Sequence, residues 1–202
     1  MIDALTLLAF LPAALALNLT PGADMMFCLS QGLNQGRRAG WLASAGISLG
    51  AFIHAAIAGS GLAALMATFP WVFEVIRWVG IAYLLWLAWQ TLRAPAVSQM
   101  ETVGANRVFW SALMVNLTNP KVALFILAFV PQFISPQAGS VLAQFLVFGA
   151  ILAAGGFVIN GCVGAFAGSI GRHFRQQGRA MRYVSAGIFS ALALRLAVLE
   201  RI

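Results

Sequence analysis

Two charged side chains, Asp24 and Lys121, lie deep within apolar runs of this 202-residue sequence, each shortly after a proline. A charge inside a bilayer costs at least ~2.5–3.5 kcal/mol on insertion scales, so it persists where it has a partner or a task. Asp24 could hold a substrate ammonium group or carry a proton. The plainer alternative is a cap on a restarted helix, where a carboxylate satisfies free N–H groups and complements the helix dipole. Lys121, the only lysine, directly follows Pro120. It could bind a substrate carboxylate, or pair with Asp24 in a buried salt bridge. His54, on a small-residue face of another apolar run, could relay protons or simply hydrogen-bond a neighbouring helix.

The prolines belong to a phrase that occurs twice, as Asn18-Leu19-Thr20-Pro21-Gly22 and as Asn116-Leu117-Thr118-Asn119-Pro120. Proline lacks a backbone donor and clashes with the preceding turn, so each copy predicts a broken helix. A break exposes N–H groups on one half-helix and carbonyls on the other, which lipid tolerates only where they are buried in protein or line a cavity. The N–H end attracts an anion. A cavity with such an end, Asp24 and Lys121 offers both signs of charge, as a zwitterionic amino acid needs. The candidate substrate-binding residues are Asn18, Thr20, Pro21, Gly22, Asp24, Asn116, Asn119, Pro120 and Lys121. Asp24 and His54 are the candidates for proton coupling. Thr20 and Thr118 carry a second reading, as hydroxyls that repair the interrupted backbone.

The elements that must position these residues follow from composition. The chain is 61% hydrophobic and 8% charged, with a mean hydropathy of +0.91. That leaves too little polar surface to face water, and the expected class is an all-α integral membrane protein in a lipid bilayer. The net charge of +7 does not point to nucleic acid, because the arginines lie mostly in short connectors. The opening run lacks the positive n-region of a signal peptide, since its first side-chain charge is Asp3, and it reads as a retained span.

A membrane-crossing helix needs about 20 mostly apolar residues. Six segments qualify: roughly Leu5–Leu29, Trp41–Met66, Trp71–Leu92, Phe109–Phe133, Val141–Ala167 and Tyr183–Leu199. The connectors between them are Gln31–Gly40, Thr68–Pro70, Arg93–Arg107, Ser135–Gly139 and Gly168–Arg182. The polar mid-chain connector divides one transmembrane domain, 1–202, into halves of about 1–100 and 101–202. Three spans per half enter the membrane from opposite sides, so related halves form two inverted three-helix repeats. The duplicated phrase, in the first span of each half, supports that relation. Alternate connectors hold eight arginines against three on the other face, so the richer face is expected to be cytoplasmic and both termini outside. Trp41, Trp71 and Trp110 stand near span ends, as interfacial anchors do. Gly46, Gly50, His54 and Ala58 recur at four-residue spacing, as do Gly156, Asn160, Gly164 and Gly168. Both rows read as close-packing faces, within one chain or in a homo-oligomer.

Enzyme signatures are lacking: there is no Ser/His/Asp constellation, no clustered metal ligands and no phosphate loop, so neither a cofactor nor a metal is called for. A different class deserves comparison, a membrane thiol–disulfide electron carrier using Cys28 and Cys162. Neither cysteine has a Cys-X-X-Cys partner, and the two are not at equivalent places in the repeat.

Several stretches together resemble one family. They are Asn18 to Asp24, Gly36-Arg37-Arg38-Ala39-Gly40, Gly46 to His54, Tyr83-Leu84-Leu85-Trp86-Leu87, Asn119-Pro120-Lys121 and Pro131-Gln132-Phe133. This set is similar to the lysine-exporter (LysE/RhtB) family of amino-acid efflux proteins, and the likeness covers nearly the whole chain. The resemblance implies an exporter of amino acids or close derivatives in the bacterial inner membrane, driven by the proton gradient. It carries over to Pro21, Gly22, Asp24, Asn119, Pro120 and Lys121. One departure is visible: the family usually has a second proline after Pro-Gly, where this chain has Ala23.

Overall fold

A computed structural model describes residues 2–68, 71–93, 103–168, 183–184, 186–194 and 197–198, and all statements below concern these. Seven helices are defined among them: α1 (Ala4–Leu19), α2 (Ala23–Gln35), α3 (Arg37–Thr68), α4 (Val72–Arg93), α5 (Val108–Leu117), α6 (Pro120–Phe129) and α7 (Val141–Ala165). Residues 186–194 are also helical, within the expected sixth span; residues 185, 195, 196 and 199 of that span lie outside the described set. So do Phe69 and Pro70, 94–102 of the mid-chain connector, and 169–182 with its four arginines.

Two of the expected spans are bent pairs. α1 and α2 meet at 54° across residues 20–22, and α5 and α6 meet at 51° across Thr118 and Asn119. The same rule makes both breaks. The residue before a proline is pushed out of the α region. Thr20, before Pro21, sits at ψ 117°, and Asn119, before Pro120, at ψ 106°. α3, α4 and α7 each contain an unbroken stretch long and apolar enough to cross a membrane; with each bent pair taken as one span, the described residues hold up to five.

The first connector is shorter than the sequence reading of Gln31–Gly40. α2 runs to Gln35 and α3 begins at Arg37, leaving Gly36 alone as the link. Its φ of 84° lies where only glycine is at ease, and that single residue reverses the chain. The fourth span ends less regularly than expected, in a tighter 3₁₀ turn at Val130–Phe133. At the amino end of α1, Asp3 is the N-cap: its Oδ1 accepts the Thr6 N–H at 2.7 Å and its Oδ2 accepts the Thr6 hydroxyl at 2.9 Å. These bonds favour the charged form and hold the Asp3 carboxyl below its ordinary pKa.

Lipid is as apolar as leucine, so large apolar side chains gain little by turning inward, and close backbone approach organises the interior. Along α3 most buried positions are small, with Ala43, Ala51, Ala55 and Ala58 inward beside Ile47 and Leu62, and Leu42, Leu49 and Ile57 outward. α3 and α7 form the most extensive helix interface. At one crossing a Cβ on Gly32 would fall 1.9 Å from the Gly164 carbonyl oxygen, and one on Gly40 would fall 2.6 Å from the Gly164 carbonyl carbon. No other residue type fits there. Towards the start of α7 the packing is aromatic: Phe10 lies 4.8 Å from Phe148 and 5.4 Å from Phe133, centroid to centroid.

Candidate functional site

The two breaks come together, and each is completed by groups from the other. Lys121, in the first turn of α6, reaches across to the end of α1. Its Nζ donates to the Leu17 carbonyl at 2.9 Å and to the Thr20 carbonyl at 2.7 Å. A helix's last carbonyls lack intrahelical donors and carry the negative end of the dipole, so a cation is the natural partner. In return Asn116, at the end of α5, donates from Nδ2 to Asp24 Oδ2 at 2.9 Å, in the first turn of α2. The Asn116 carbonyl, freed by the break, accepts from the Asn119 N–H at 2.9 Å and from His54 Nε2 at 3.2 Å, which makes Nε2 the protonated ring nitrogen.

Two of the alternatives open in the sequence are absent from this geometry. Asp24 and Lys121 form no ion pair; the lysine is held by carbonyls instead, although its charge still attracts the carboxylate across the site. Nor does Asp24 cap the start of α2. One of its oxygens is taken by Asn116 and the other has no hydrogen-bond partner. The α2 N-cap is Gly22, which has no side chain to offer.

The remaining candidates divide by what they touch. Asn119 is the N-cap of α6, its Oδ1 accepting the Lys121 N–H at 3.0 Å. Asn18 ties the break to α7 by donating from Nδ2 to the Leu152 carbonyl at 3.1 Å. Thr20 and Thr118 bond within their own helices, to the Ala16 carbonyl at 2.5 Å and the Met114 carbonyl at 2.8 Å, which is the repair role. Pro21 lies in the first break, and Pro120 occupies the first position of α6, where its missing N–H is not needed. The Pro120 carbonyl accepts the Tyr83 hydroxyl at 3.2 Å. Gly22 faces the lysine: a Cβ there would lie 3.6 Å from Lys121 Nζ.

Two small cavities adjoin these residues, each of about 20 Å³, roughly the space one water occupies. The first is bounded by Asn18, Thr20, Gly22, Asp24, Asn119 and Lys121, among others. The second is bounded by Asn18, Asp24 and Asn116 together with Ser48 of α3 and Asn160 of α7. Asp24, Asn18 and Asn160 border both. The sequence reading missed Ser48 altogether and took Asn160 as part of a packing row. The available signal was polarity: an asparagine amide in an apolar span is costly unless it meets a partner or a ligand.

Residues 15–200 match the model of the LysE type translocator family. The chain belongs to that family. This translocator is 37% identical over 145 residues to the homoserine/homoserine lactone efflux protein of Salmonella typhimurium (strain LT2), covering 70% of each chain. It is 35% identical over 139 residues to the leucine efflux protein of Klebsiella pneumoniae, covering 66% of each. It is 34% identical over 172 residues to a membrane protein of Vibrio cholerae, covering 83% of each. No solved structure matches it. The electron-carrier reading is not favoured, because the family is one of translocators and the relatives are named as efflux proteins.

Proposed function

We propose that this translocator is a secondary active exporter of amino acids or close derivatives across the bacterial inner membrane, with its substrate site between the two broken helices. The observation that carries the reading is the exchange of groups between the breaks, with Lys121 on the Leu17 and Thr20 carbonyls and Asn116 on Asp24. An ammonium has three donors, and these bonds use two. The third N–H of Lys121, beside the start of α2, is available to a substrate carboxylate. Asp24 supplies the opposite charge, so a zwitterion is the ligand the pair suits.

In this reading the chain is a single transporter domain of six spans in two inverted repeats, with the arginine-rich face in the cytoplasm and both termini outside. Cavities of about 20 Å³ are smaller than any amino acid, so binding requires a wider conformation, reached by rocking of one half against the other. Coupling to protons runs through Asp24, with His54 held next to it by the Asn116 carbonyl. The names of the relatives, efflux proteins for homoserine and for leucine, favour small neutral amino acids over cationic ones.

The test is efflux of labelled homoserine, leucine, threonine and lysine from loaded cells or vesicles expressing the protein, with and without a proton gradient. Export of at least one neutral amino acid that collapses with the gradient is expected. Downhill leakage unaffected by the gradient would replace the carrier by a passive channel.

A further inference from the structure

Among the described residues, four buried side-chain oxygens have no hydrogen-bond partner: Asp24 Oδ1, Ser48 Oγ, Asn116 Oδ1 and Asn160 Oδ1. All four residues border the second cavity. Buried polar atoms are nearly always satisfied, so four orphans around one hollow call for a common cause. Asn116 and Asn160 are 0% and 4% exposed, and bulk water does not reach them freely.

Most nearby donors are already engaged, and the Asn119 amide, which also acts on the Asp24 carboxylate, forms no hydrogen bond to its Oδ1. Asn116 Nδ2 is on Asp24, and turning that amide would set its oxygen against a carboxylate. Asn18 Nδ2 is on the Leu152 carbonyl, His54 Nε2 on the Asn116 carbonyl and Lys121 Nζ on the end of α1. What is left is one carboxylate, two amide oxygens and a hydroxyl, set among apolar walls that include Leu17, Ile47, Val122 and Leu152, around a space of about one water. A single neutral water has two hydrogens to give and, accepting from the Ser48 hydroxyl, still leaves one of the three carboxylate and amide oxygens unmet. A compact cation meets all three of these, by three N–H donors or by direct coordination in which the Ser48 hydroxyl oxygen joins as a fourth ligand. Hard oxygen ligands suit a hard cation. One carboxylate balances one positive charge, and no cluster of three His, Cys, Asp or Glu side chains among the described residues points to a divalent or transition metal.

We propose that the four unpartnered oxygens of this cavity between α2, α3, α5 and α7 bind a compact monovalent cation, either a primary ammonium group or a sodium ion, with Ser48 and Asn160 as ligands beside Asp24 and Asn116. In its ammonium form the proposal rests on the export reading above, the ammonium being the substrate's own. The carbonyl end of a broken helix, which in other transporters helps coordinate a coupling cation, is here filled by the tethered ammonium of Lys121. A free cation is therefore directed to the second cavity.

The test uses the purified full-length protein in detergent and reads its thermal midpoint. Sodium chloride is titrated against choline chloride, whose bulky quaternary head has no N–H. Separately, 3-methylbutylamine (leucine without its carboxylate) is compared with 4-methylpentanoate (leucine without its ammonium). A saturable rise with sodium over choline identifies sodium as the ligand; a rise with the amine, absent with the acid, identifies the ammonium. Either response should fall at least severalfold in apparent affinity in Ser48→Ala and Asn160→Ala. If a response is sodium's, it should strengthen in Asn160→Asp, which adds a negative charge to the cage. The proposal is overturned if neither probe raises the midpoint above its control, or if both variants respond as the parent does. Amino-acid efflux measured alongside separates the two claims. Export without either response leaves the exporter standing and removes the cation site, and a response without export does the reverse.

Discussion

The two helix breaks share a phrase and a bend angle, yet they are finished differently. The second break closes itself locally: Asn119 caps α6 with its own side chain and Pro120 takes the first helical position. The first has neither device. Gly22 offers no side-chain cap, and the end of α1 depends on Lys121 arriving from the other half. The charges are also divided, with the acid after the first break and the lysine after the second. The duplication therefore supplies the geometry, and the departures from it supply the chemistry. A symmetric pair of breaks would hold two identical ends. This pair holds one carboxylate and one ammonium, each beside a helix terminus.

That asymmetry ranks the variants. Lys121→Met should have the largest effect, because it strips two carbonyls of their donor inside the protein, at about 1–3 kcal/mol for each group left unmet. A fall in efflux of at least tenfold and a lower thermal midpoint are expected. Efflux near the parent level would mean that water or backbone adjustment replaces the ammonium. Asp24→Asn comes next. It keeps the shape and the Asn116 contact within reach but removes the charge, so folding should be largely kept while gradient-driven export is lost; undiminished export would sink the carboxylate's role. The double variant Asp24→Asn/Lys121→Met sharpens the comparison. A direct ion pair would make the double change milder than the single lysine change. The structure has no such pair, so the double variant should be at least as impaired as Lys121→Met alone.

The breaks were legible in the sequence because proline acts locally, through its own ring and the residue before it. Thr20 and Asn119 take the extended conformation that rule demands. The Thr20 and Thr118 hydroxyls likewise have their partners one turn back in the same helix. What resisted reading was everything set by distance across the fold. The spacing of Asp24 and Lys121 along the chain contains nothing to say that an ammonium will prefer two carbonyls of α1 to a carboxylate of α2. Asn160 was hidden for a related reason. Its four-residue spacing from Gly156 and Gly164 marks a packing face, and only the approach of α2, α3 and α5 shows that the same face also borders a cavity. Gly36 was missed because a one-residue link looks, in sequence, like part of a polar loop.

A smaller effect separates the caps. Asn119→Ala should lower stability by about 1 kcal/mol, the usual worth of a side-chain N-cap, read as a lower midpoint of thermal unfolding. Gly22→Ala at the corresponding place loses no cap. Its backbone is fully extended at φ −162°, open to any residue, and the new methyl would sit at ordinary contact distance from Lys121. The alanine there should cost clearly less than the alanine at 119. Equal losses would mean that the first break has a cap of its own after all.

The smallest effect is expected where this chain departs from the family's second proline. Ala23 is the first residue of α2, the helical position at which proline's missing N–H is no loss. The residue before it must be extended to clear the ring, and Gly22 already is. Proline at 23 would thus enter a backbone that already has the required form, as Pro120 does at the start of α6. By restricting the unfolded chain it should add stability of about 0.4–1 kcal/mol at most. Ala23→Pro is therefore predicted to leave efflux within about twofold of the parent and to hold or slightly raise the thermal midpoint, within the ±0.5 kcal/mol usual for an uneventful substitution or just above it. A midpoint several degrees lower, with efflux lost, would show that Gly22 and Ala23 do not have this geometry. The likeness between the two helix starts would then fail at the residue where it is easiest to check.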